Sequence, residues 1–188
     1  MRKQLDTKLV TAASLAVLMG VTRLGHFGHG FHPPDASWAV FVLAGAWLGG
    51  TRVFLALCAV AGASDLAAFS LGTSTACMSA AYVFLVPTYA TLFWAGRWAS
   101  REPRLPLLRV AAATVLGALG AFTISNASFF ALAPRFEHMS ASTFTVHVAP
   151  YLLPYLTTTL VYATAGQTLR LIPRGLPWAR ARWSSDVS

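Results

Sequence analysis

The sequence alternates long apolar stretches with short polar and charged segments. Six apolar stretches stand out, at about residues 9–24, 36–50, 53–71, 77–98, 107–132 and 146–172. A stretch of about 20 apolar residues is long enough to cross the hydrocarbon core of a bilayer as a helix. The pattern therefore predicts an all-α fold, in which residues 1–188 form a single domain of six transmembrane helices.

The composition favours a membrane protein over a soluble domain. Of the 188 residues, 56% are hydrophobic and 11% are charged, whereas soluble domains contain about 25% charged residues. Two cysteines are too few for a disulfide scaffold. The first stretch has the basic flank of a signal peptide, but Arg23 and a histidine-rich segment follow it instead of a small-residue cleavage site. We therefore expect this helix to be retained.

The basic residues are distributed unevenly between the two sides of the predicted bundle. Six spans place both termini on one side, and that side carries 12 of the 14 basic residues: Arg2, Lys3, Lys8, Arg52, Arg97, Arg101, Arg104, Arg109, Arg170, Arg174, Arg180 and Arg182. Because basic residues are enriched in cytoplasmic loops, we predict cytoplasmic termini. The protein would be a multi-pass protein of the bacterial inner membrane. Orientation thus explains the net charge of +8, and we do not expect nucleic-acid binding.

The first predicted outward connection is rich in histidine. His26, His29 and His32 are three residues apart and alternate with glycine and phenylalanine. Imidazole is a common metal ligand, but the segment lacks cysteine and contains one acid, Asp35. Three interpretations stay open: a zinc or nickel site, a loop that folds over a ligand with one histidine in contact, and a solvated loop.

Asp65 is a carboxylate near the outward end of an apolar span. Such a group is costly to bury and usually has a partner or lines a watery cavity. By depth, the candidate partners are Arg23 and the histidines of the first connection. A structural ion pair and a contact to a ligand are equally compatible with this position.

Cys77 lies at the predicted outward end of the fourth span, after an uncharged segment of small residues. A lone cysteine in a membrane helix is commonly an apolar filler, and we interpret Cys58 in this way. At an outward mouth, however, a thiolate is also a soft ligand suited to a transition metal. Tyr82 follows five residues later and is a further candidate for ligand contact.

Three further candidate ligand-binding residues come from the last two spans. Asn126 lies near the outward end of the fifth span, and His147 and Tyr151 lie near the start of the sixth. Aromatic residues at this depth are either interfacial belt residues or pocket walls. Pro150 and Pro154 are expected to open the start of the sixth helix and free backbone carbonyl groups.

Small residues recur at helical spacing and predict close helix packing. They are Ala12 and Ala16 in the first span, Gly45 and Gly49 in the second, and Ala113, Gly117 and Ala121 in the fifth. The chain has no nucleotide-binding glycine-rich motif, no zinc-protease motif and no serine elbow. The polar features gather at one mouth, which favours an outward-facing binding cup over a proton-driven pump.

This plan resembles the S-components of energy-coupling-factor vitamin transporters. The resemblance covers nearly the whole chain and rests on the span number, the orientation and the small-residue face of the first span. Within that family, Asp65, Cys77 and Tyr82, together with His26, resemble the BtuM-type cobalamin transporters, a group known for acting without a dedicated energising module. The arginine that this resemblance leads us to expect near the start of the sixth span is absent, and His147 stands there.

The resemblance implies that the protein binds cobalamin in an outward cup and carries it into the cell. Cys77 would coordinate the corrin cobalt axially, and loss of a cyanide ligand would be a side activity. An energising module, if recruited, would dock on Ala12 and Ala16. The alternatives are an S-component for another vitamin or a metal ion, a small membrane enzyme using His26, Asp65 or Cys77, and a subunit that binds no ligand.

Overall fold

The computed structural model describes residues 2–25, 33–70, 79–101 and 106–172, with only the backbone at residues 2–4, 24 and 25. His26 and Cys77 lie outside the described residues, as do His29 and His32. The regular elements of the described residues are all helical. The α-helices are α1 (Arg2–Gly25), α2 (Ser37–Trp47), α3 (Thr51–Ser70), α4 (Leu85–Ala99), α5 (Pro106–Leu132) and α6 (Ala141–Leu171). Short 3-10 helices, Ala80–Phe84 and Pro134–Phe136, precede α4 and α6.

Three of these helices are long and apolar enough to cross a membrane: α1 over Leu5–Arg23, α3 and α5. These three helices indicate a membrane protein. The prediction of an all-helical fold is confirmed for the described residues. Helix α2 has 11 residues, or about 16 Å at 1.5 Å per residue, against a hydrocarbon core of about 30 Å. Helix α4 has 15 residues and is also short for a span. Helix α6 has 31 residues, but none of its 18-residue stretches is as apolar as those of α1, α3 and α5. The six-span arrangement stays a prediction.

The short helix α2 lies at the centre of the bundle. Its residues form an almost continuous apolar run, and most of them are buried: Ser37, Ala39, Val40, Phe41, Val42, Leu43, Ala44 and Gly45. Phe41 stacks on Tyr89 of α4 with ring centroids 4.3 Å apart. A helix that is apolar on all sides is stable only where neighbours cover it on all sides. The predicted span 36–50 is therefore a core helix that ends at Trp47, and Gly49 and Gly50 turn the chain into α3 with positive φ angles of 61° and 83°.

Glycines set how closely α4 approaches its neighbours. A Cβ atom on Gly45 of α2 would overlap the Phe93 carbonyl oxygen, and one on Gly96 of α4 would overlap the Val42 carbonyl oxygen. On the other side of α4, a Cβ atom on Gly117 of α5 would lie 3.0 Å from the Ala95 Cβ atom. Gly45 and Gly117 thus lie at helix contacts, as the small-residue pattern predicts, whereas Gly49 lies in the turn after α2 and not on the helix.

Helix α6 does not open at its prolines, contrary to the sequence-based expectation. It runs without interruption from Ala141 to Leu171 through Pro150 and Pro154. It begins five residues before the predicted span because Ser140 caps it, its hydroxyl accepting a hydrogen bond from the Thr143 amide at 3.1 Å. Both prolines lie on exposed parts of the helix.

At the end of the bundle where α2 and α6 finish, a hydrogen bond joins these two helices. The Trp47 indole Nε1 donates to the Gln167 side-chain oxygen at 2.7 Å, and Gln167 is buried. The Arg170 guanidinium lies over the Trp47 ring, 5.1 Å from its centroid. A buried amide needs such a partner, so this contact fixes α6 against the core helix.

We expect Gly45→Ala to destabilise the bundle, because the added methyl group has to push α2 away from the Phe93 backbone. Overpacking of this kind lowers the free energy of unfolding by roughly 1–3 kcal/mol. Gly62→Ala in α3 is the matched control, since no atom lies within 4 Å of its added Cβ atom and alanine favours a helix by about 0.5–1 kcal/mol over glycine. Thermal unfolding in detergent measures both, and equal midpoints for the two variants would contradict the close crossing.

Candidate functional site

The most strongly bonded polar group in the described structure is an ion pair between α1 and α3. Arg23, in the last turn of α1, donates from Nε to Asp65 Oδ1 at 2.5 Å and from Nη2 to Asp65 Oδ2 at 2.7 Å. This is the two-pronged geometry that the planar guanidinium and carboxylate groups favour. The side chains are 12% and 6% exposed, so water contributes little to their solvation. The predicted partnership of Asp65 with Arg23 is confirmed.

Asp35 extends the pair to the start of α2. Arg23 Nη1 lies 3.3 Å from Asp35 Oδ2 and donates to the Ser37 hydroxyl oxygen at 3.2 Å. The other Asp35 oxygen accepts from the Ser37 amide at 2.8 Å and from its hydroxyl at 2.6 Å. Asp35 thus supplies an acceptor and a negative charge at the N-terminus of α2, where amide groups lack helical partners.

Tyr82 completes the cluster from the 3-10 helix that precedes α4. Its hydroxyl donates to Asp65 Oδ2, the oxygen that also accepts from Arg23. The five residues Arg23, Asp35, Ser37, Asp65 and Tyr82 are called the charged cluster below. They connect α1, the start of α2, α3 and the chain leading into α4 through side-chain hydrogen bonds.

Backbone contacts hold the connection between α1 and α2 beside the charged cluster. The Ala36 amide donates to the Thr22 hydroxyl at 3.1 Å, and that hydroxyl donates to the Leu18 carbonyl at 2.9 Å. From the other side, the Tyr162 hydroxyl of α6 donates to the Pro34 carbonyl at 3.1 Å. Residues 34–36 are therefore fixed between α1 and α6, which positions Asp35.

The formal charges of the cluster do not cancel. One guanidinium stands against two carboxylates, which gives a net formal charge of −1. Asp65 accepts all three of its hydrogen bonds from Arg23 and Tyr82, whereas the Asp35 side chain is 25% exposed. The excess negative charge thus lies at the accessible edge, where Asp35 can accept a hydrogen bond or attract a positive group.

The structure brings together two of the predicted ligand-binding residues, Asp65 and Tyr82. The family resemblance groups these two residues, and the direct hydrogen bond between their side chains joins them in one cluster. His26 and Cys77, the other two members of that prediction, lie outside the described residues. Cys58 is half-buried on α3 beside the core, a position that fits its interpretation as an apolar filler.

The remaining three predicted residues do not join the charged cluster. The Asn126 amide donates to the Phe122 carbonyl at 2.9 Å, and the His147 Nδ1 donates to the Thr143 carbonyl at 2.8 Å. Both bonds stay within one helix. Tyr151 is 61% exposed on α6. Their hydrogen bonds and exposure indicate no shared pocket among the described residues, and their role in ligand binding stays a prediction.

Sequence reasoning missed the parts played by Asp35 and Ser37. We noted Asp35 only as the one acid of the histidine-rich connection. The signal was nevertheless present, because Asp and Ser directly before an apolar run are typical of a helix N-terminus. The buried Arg23 needs a second acceptor, and a capping carboxylate two residues before Ser37 is well placed to supply it.

No model of a protein family matches the chain, and no curated protein sequence matches it. Among the described residues, no group of three His, Cys, Asp or Glu side chains is arranged to hold a metal ion. The charged cluster is therefore the candidate functional feature of the described residues.

We expect Asp65→Asn to destabilise the protein strongly. The substitution leaves a buried guanidinium with only the more distant carboxylate of Asp35, and removing one partner of a buried ion pair costs about 3–5 kcal/mol. Asp6→Asn is the matched control, since Asp6 is exposed on α1 and surface substitutions change stability by about 0.5 kcal/mol or less. Denaturation followed by circular dichroism compares the two, and similar unfolding midpoints would mean that the ion pair does not hold α1 in place.

Proposed function

We propose that the protein is a cobalamin carrier of the inner membrane, similar in plan to the S-components of energy-coupling-factor transporters. In this proposal the six helices form a bundle within the membrane, in which the short helix α2 is enclosed by the others, and both termini are cytoplasmic. The end that carries the charged cluster faces outward. The vitamin is the cargo, and the three apolar helices long enough to cross a bilayer support a membrane location.

The observation that carries the proposal is the way the charged cluster brackets two segments of the chain. Arg23 and Asp35, which are in contact, stand on either side of residues 26–32 in the sequence. Asp65 and Tyr82, which are also in contact, stand on either side of residues 71–78. His26 and Cys77 belong to these two segments. The described residues that flank both predicted ligand-contact segments therefore meet in one cluster, which supports the proposal that the two segments act together.

A charged cluster of this kind is a suitable base for a binding site. Five polar side chains in mutual contact hold four parts of the chain in a defined arrangement. Binding is tighter when the groups that contact the ligand are held in place before it arrives. A purely structural role would require only the pair of Arg23 and Asp65, whereas Tyr82 adds a contact from the chain that follows Cys77.

Cys77 supplies the proposed chemistry. A thiolate is a soft, anionic ligand that binds the cobalt of cobalamin at its axial position. With a cyanide ligand on cobalt(III), the cobalt–carbon bond breaks and a cobalt–sulfur bond forms. Cyanide leaves with the thiol proton as hydrogen cyanide, so this exchange needs no oxidant or reductant. Removal of cyanide would be a side reaction of binding.

We expect Cys77→Ala to change the visible absorption spectrum of bound cobalamin, because the axial ligand determines the electronic transitions of the corrin cobalt. Cys58→Ala is the matched control, since it removes the other cysteine of the chain and should leave the spectrum unchanged. The measurement uses detergent-purified protein titrated with cyanocobalamin. Identical spectra for wild type and Cys77→Ala would exclude coordination by this thiol.

We expect the wild-type chain to support cobalamin-dependent growth of a bacterial strain that lacks its own cobalamin importer. Cys77→Ala should need a higher vitamin concentration for the same growth, whereas Cys58→Ala should behave like wild type. Membrane levels of each variant are compared by immunoblot. If wild type reaches the membrane and binds cobalamin but does not restore growth, transport is contradicted. If it binds no cobalamin, the cargo is another vitamin or a metal ion, or there is none.

A further inference from the structure

A shallow apolar groove lies between α4 and α5, toward the end of the bundle where α4 finishes and α5 begins. Its volume is about 230 Å³, and it is lined by Thr91, Ala95, Trp98, Ala113, Leu116 and Gly117. Gly117 and Ala95 form the bottom of the groove, where their small side chains let the two helices approach closely. From Thr91 to Trp98 the groove follows α4 for seven residues, or about 10 Å.

An arginine stands at the end of this groove. The Arg109 guanidinium lies over the Trp98 ring, 4.7 Å from its centroid, and Nη2 donates to the Trp98 carbonyl at 3.3 Å. Trp98 lines the groove as well, so it connects the apolar channel to the positive charge. A tryptophan beside a basic residue at a helix end is the combination found at the level of lipid headgroups.

The described residues compensate the positive charge of Arg109 only in part. Its Nε atom is shielded from solvent and has no hydrogen-bond acceptor among the described residues. A guanidinium has five N–H donors. In Arg109 one of them bonds to the Trp98 carbonyl, and the flat face of the guanidinium lies on the Trp98 ring. A polar nitrogen without a partner is unfavourable, so an anion beside this group would be stabilising.

The surrounding sequence adds to the positive charge. Residues 97–109 contain four arginines and one acid, Glu102, and neither α4 nor α5 contains an acid. Arg97 lies over Gly49 on another side of α4 and does not belong to the groove. The backbone amide of Arg101 donates to the Trp98 carbonyl at 3.2 Å, the same oxygen that accepts from Arg109.

We propose that this groove binds an anionic phospholipid, with the phosphate beside Arg109 and an acyl chain along the surface between α4 and α5. The apolar lining needs an apolar occupant, and the uncompensated guanidinium needs an anion. Leu116 is 61% exposed and Trp98 is 40% exposed, so this surface is open to lipid if the helices lie in a bilayer. The inference goes beyond cobalamin uptake and does not depend on Cys77 or on the charged cluster.

The test uses the full chain, purified in detergent and stripped of lipid, with native mass spectrometry as the readout. Phosphatidylglycerol and phosphatidylcholine with identical acyl chains are added in separate titrations. We expect phosphatidylglycerol to bind about fivefold more tightly than phosphatidylcholine. One basic residue near an anionic headgroup contributes roughly 1 kcal/mol, which corresponds to this factor. Equal binding of the two lipids would overturn the proposal.

Arg109→Gln should remove this preference. The matched control is Arg135→Gln. The Arg135 guanidinium also lies over aromatic rings, 5.0 Å from the centroid of Phe129 and 4.9 Å from that of Phe136. It belongs, however, to the connection between α5 and α6 and not to the groove. The control should keep the fivefold preference. Loss of preference in both variants, or in neither, would contradict a site at Arg109.

Leu116→Trp keeps the charge and covers the groove from its exposed side, so it tests the acyl chain separately. We expect it to weaken binding of both lipids without changing the unfolding midpoint in lipid-free detergent. Unchanged phosphatidylglycerol binding would overturn the assignment of the groove. If Arg109→Gln does not fold, Leu116→Trp still tests whether the groove binds lipid. Cobalamin binding by all these variants should equal that of wild type, which separates this site from the proposed carrier function.

Discussion

The buried ion pair of Arg23 and Asp65 is the interaction on which the arrangement of α1, α2 and α3 depends. Among the described residues, the buried side chains of helix α1 are Leu15, Met19 and Thr22. These positions recur every three to four residues and carry the helix against its neighbours. At the end of the same face, Arg23 makes two short hydrogen bonds to α3. Since neither group can be left alone in an apolar bundle, each determines where the other lies.

The short helix α2 imposes a second constraint. An 11-residue helix inside an apolar bundle has unpaired amide groups at one end and unpaired carbonyl groups at the other. At the N-terminal end, the Asp35 carboxylate accepts a hydrogen bond from the Ser37 amide. Both residues belong to the charged cluster. At the second end, the turn at Gly49 and Gly50 leads directly into α3. The start of the core helix is thus tied to Arg23 and, through Arg23, to α3.

The two ends of the bundle carry different kinds of polar group. At one end, the side chains of the charged cluster bond to one another. The opposite end has arginines placed over tryptophan rings, as at Arg109 and Arg170. The first arrangement suits recognition of a cargo, and the second suits contact with the lipid headgroup region. The two proposals use different residues and different physical interactions, so either one can hold without the other.

Much of the candidate site followed from elementary rules. Asp65 stands out because a carboxylate in an apolar helix needs a partner, and the depth of Arg23 in its own span makes it the natural choice. Tyr82 was selected by position, and the structure then placed it on Asp65. Asn126, His147 and Tyr151 were selected by depth alone. Depth does not specify the direction in which a helix face points, and their hydrogen bonds and exposure do not connect them with the cluster.

The sequence by itself determined that the chain is helical and apolar, approximately where its helices lie, and that Asp65 would need either a partner or a watery cavity. These properties depend on local composition and on the cost of burying charge, which are readable from the chain. Only the tertiary structure decided that the second span is a short core helix and that Asp35 shares Arg23 with Asp65. It also decided that α6 continues through two prolines. These outcomes depend on which helices are neighbours and how closely glycines let them approach, and a pattern along one chain does not contain that information.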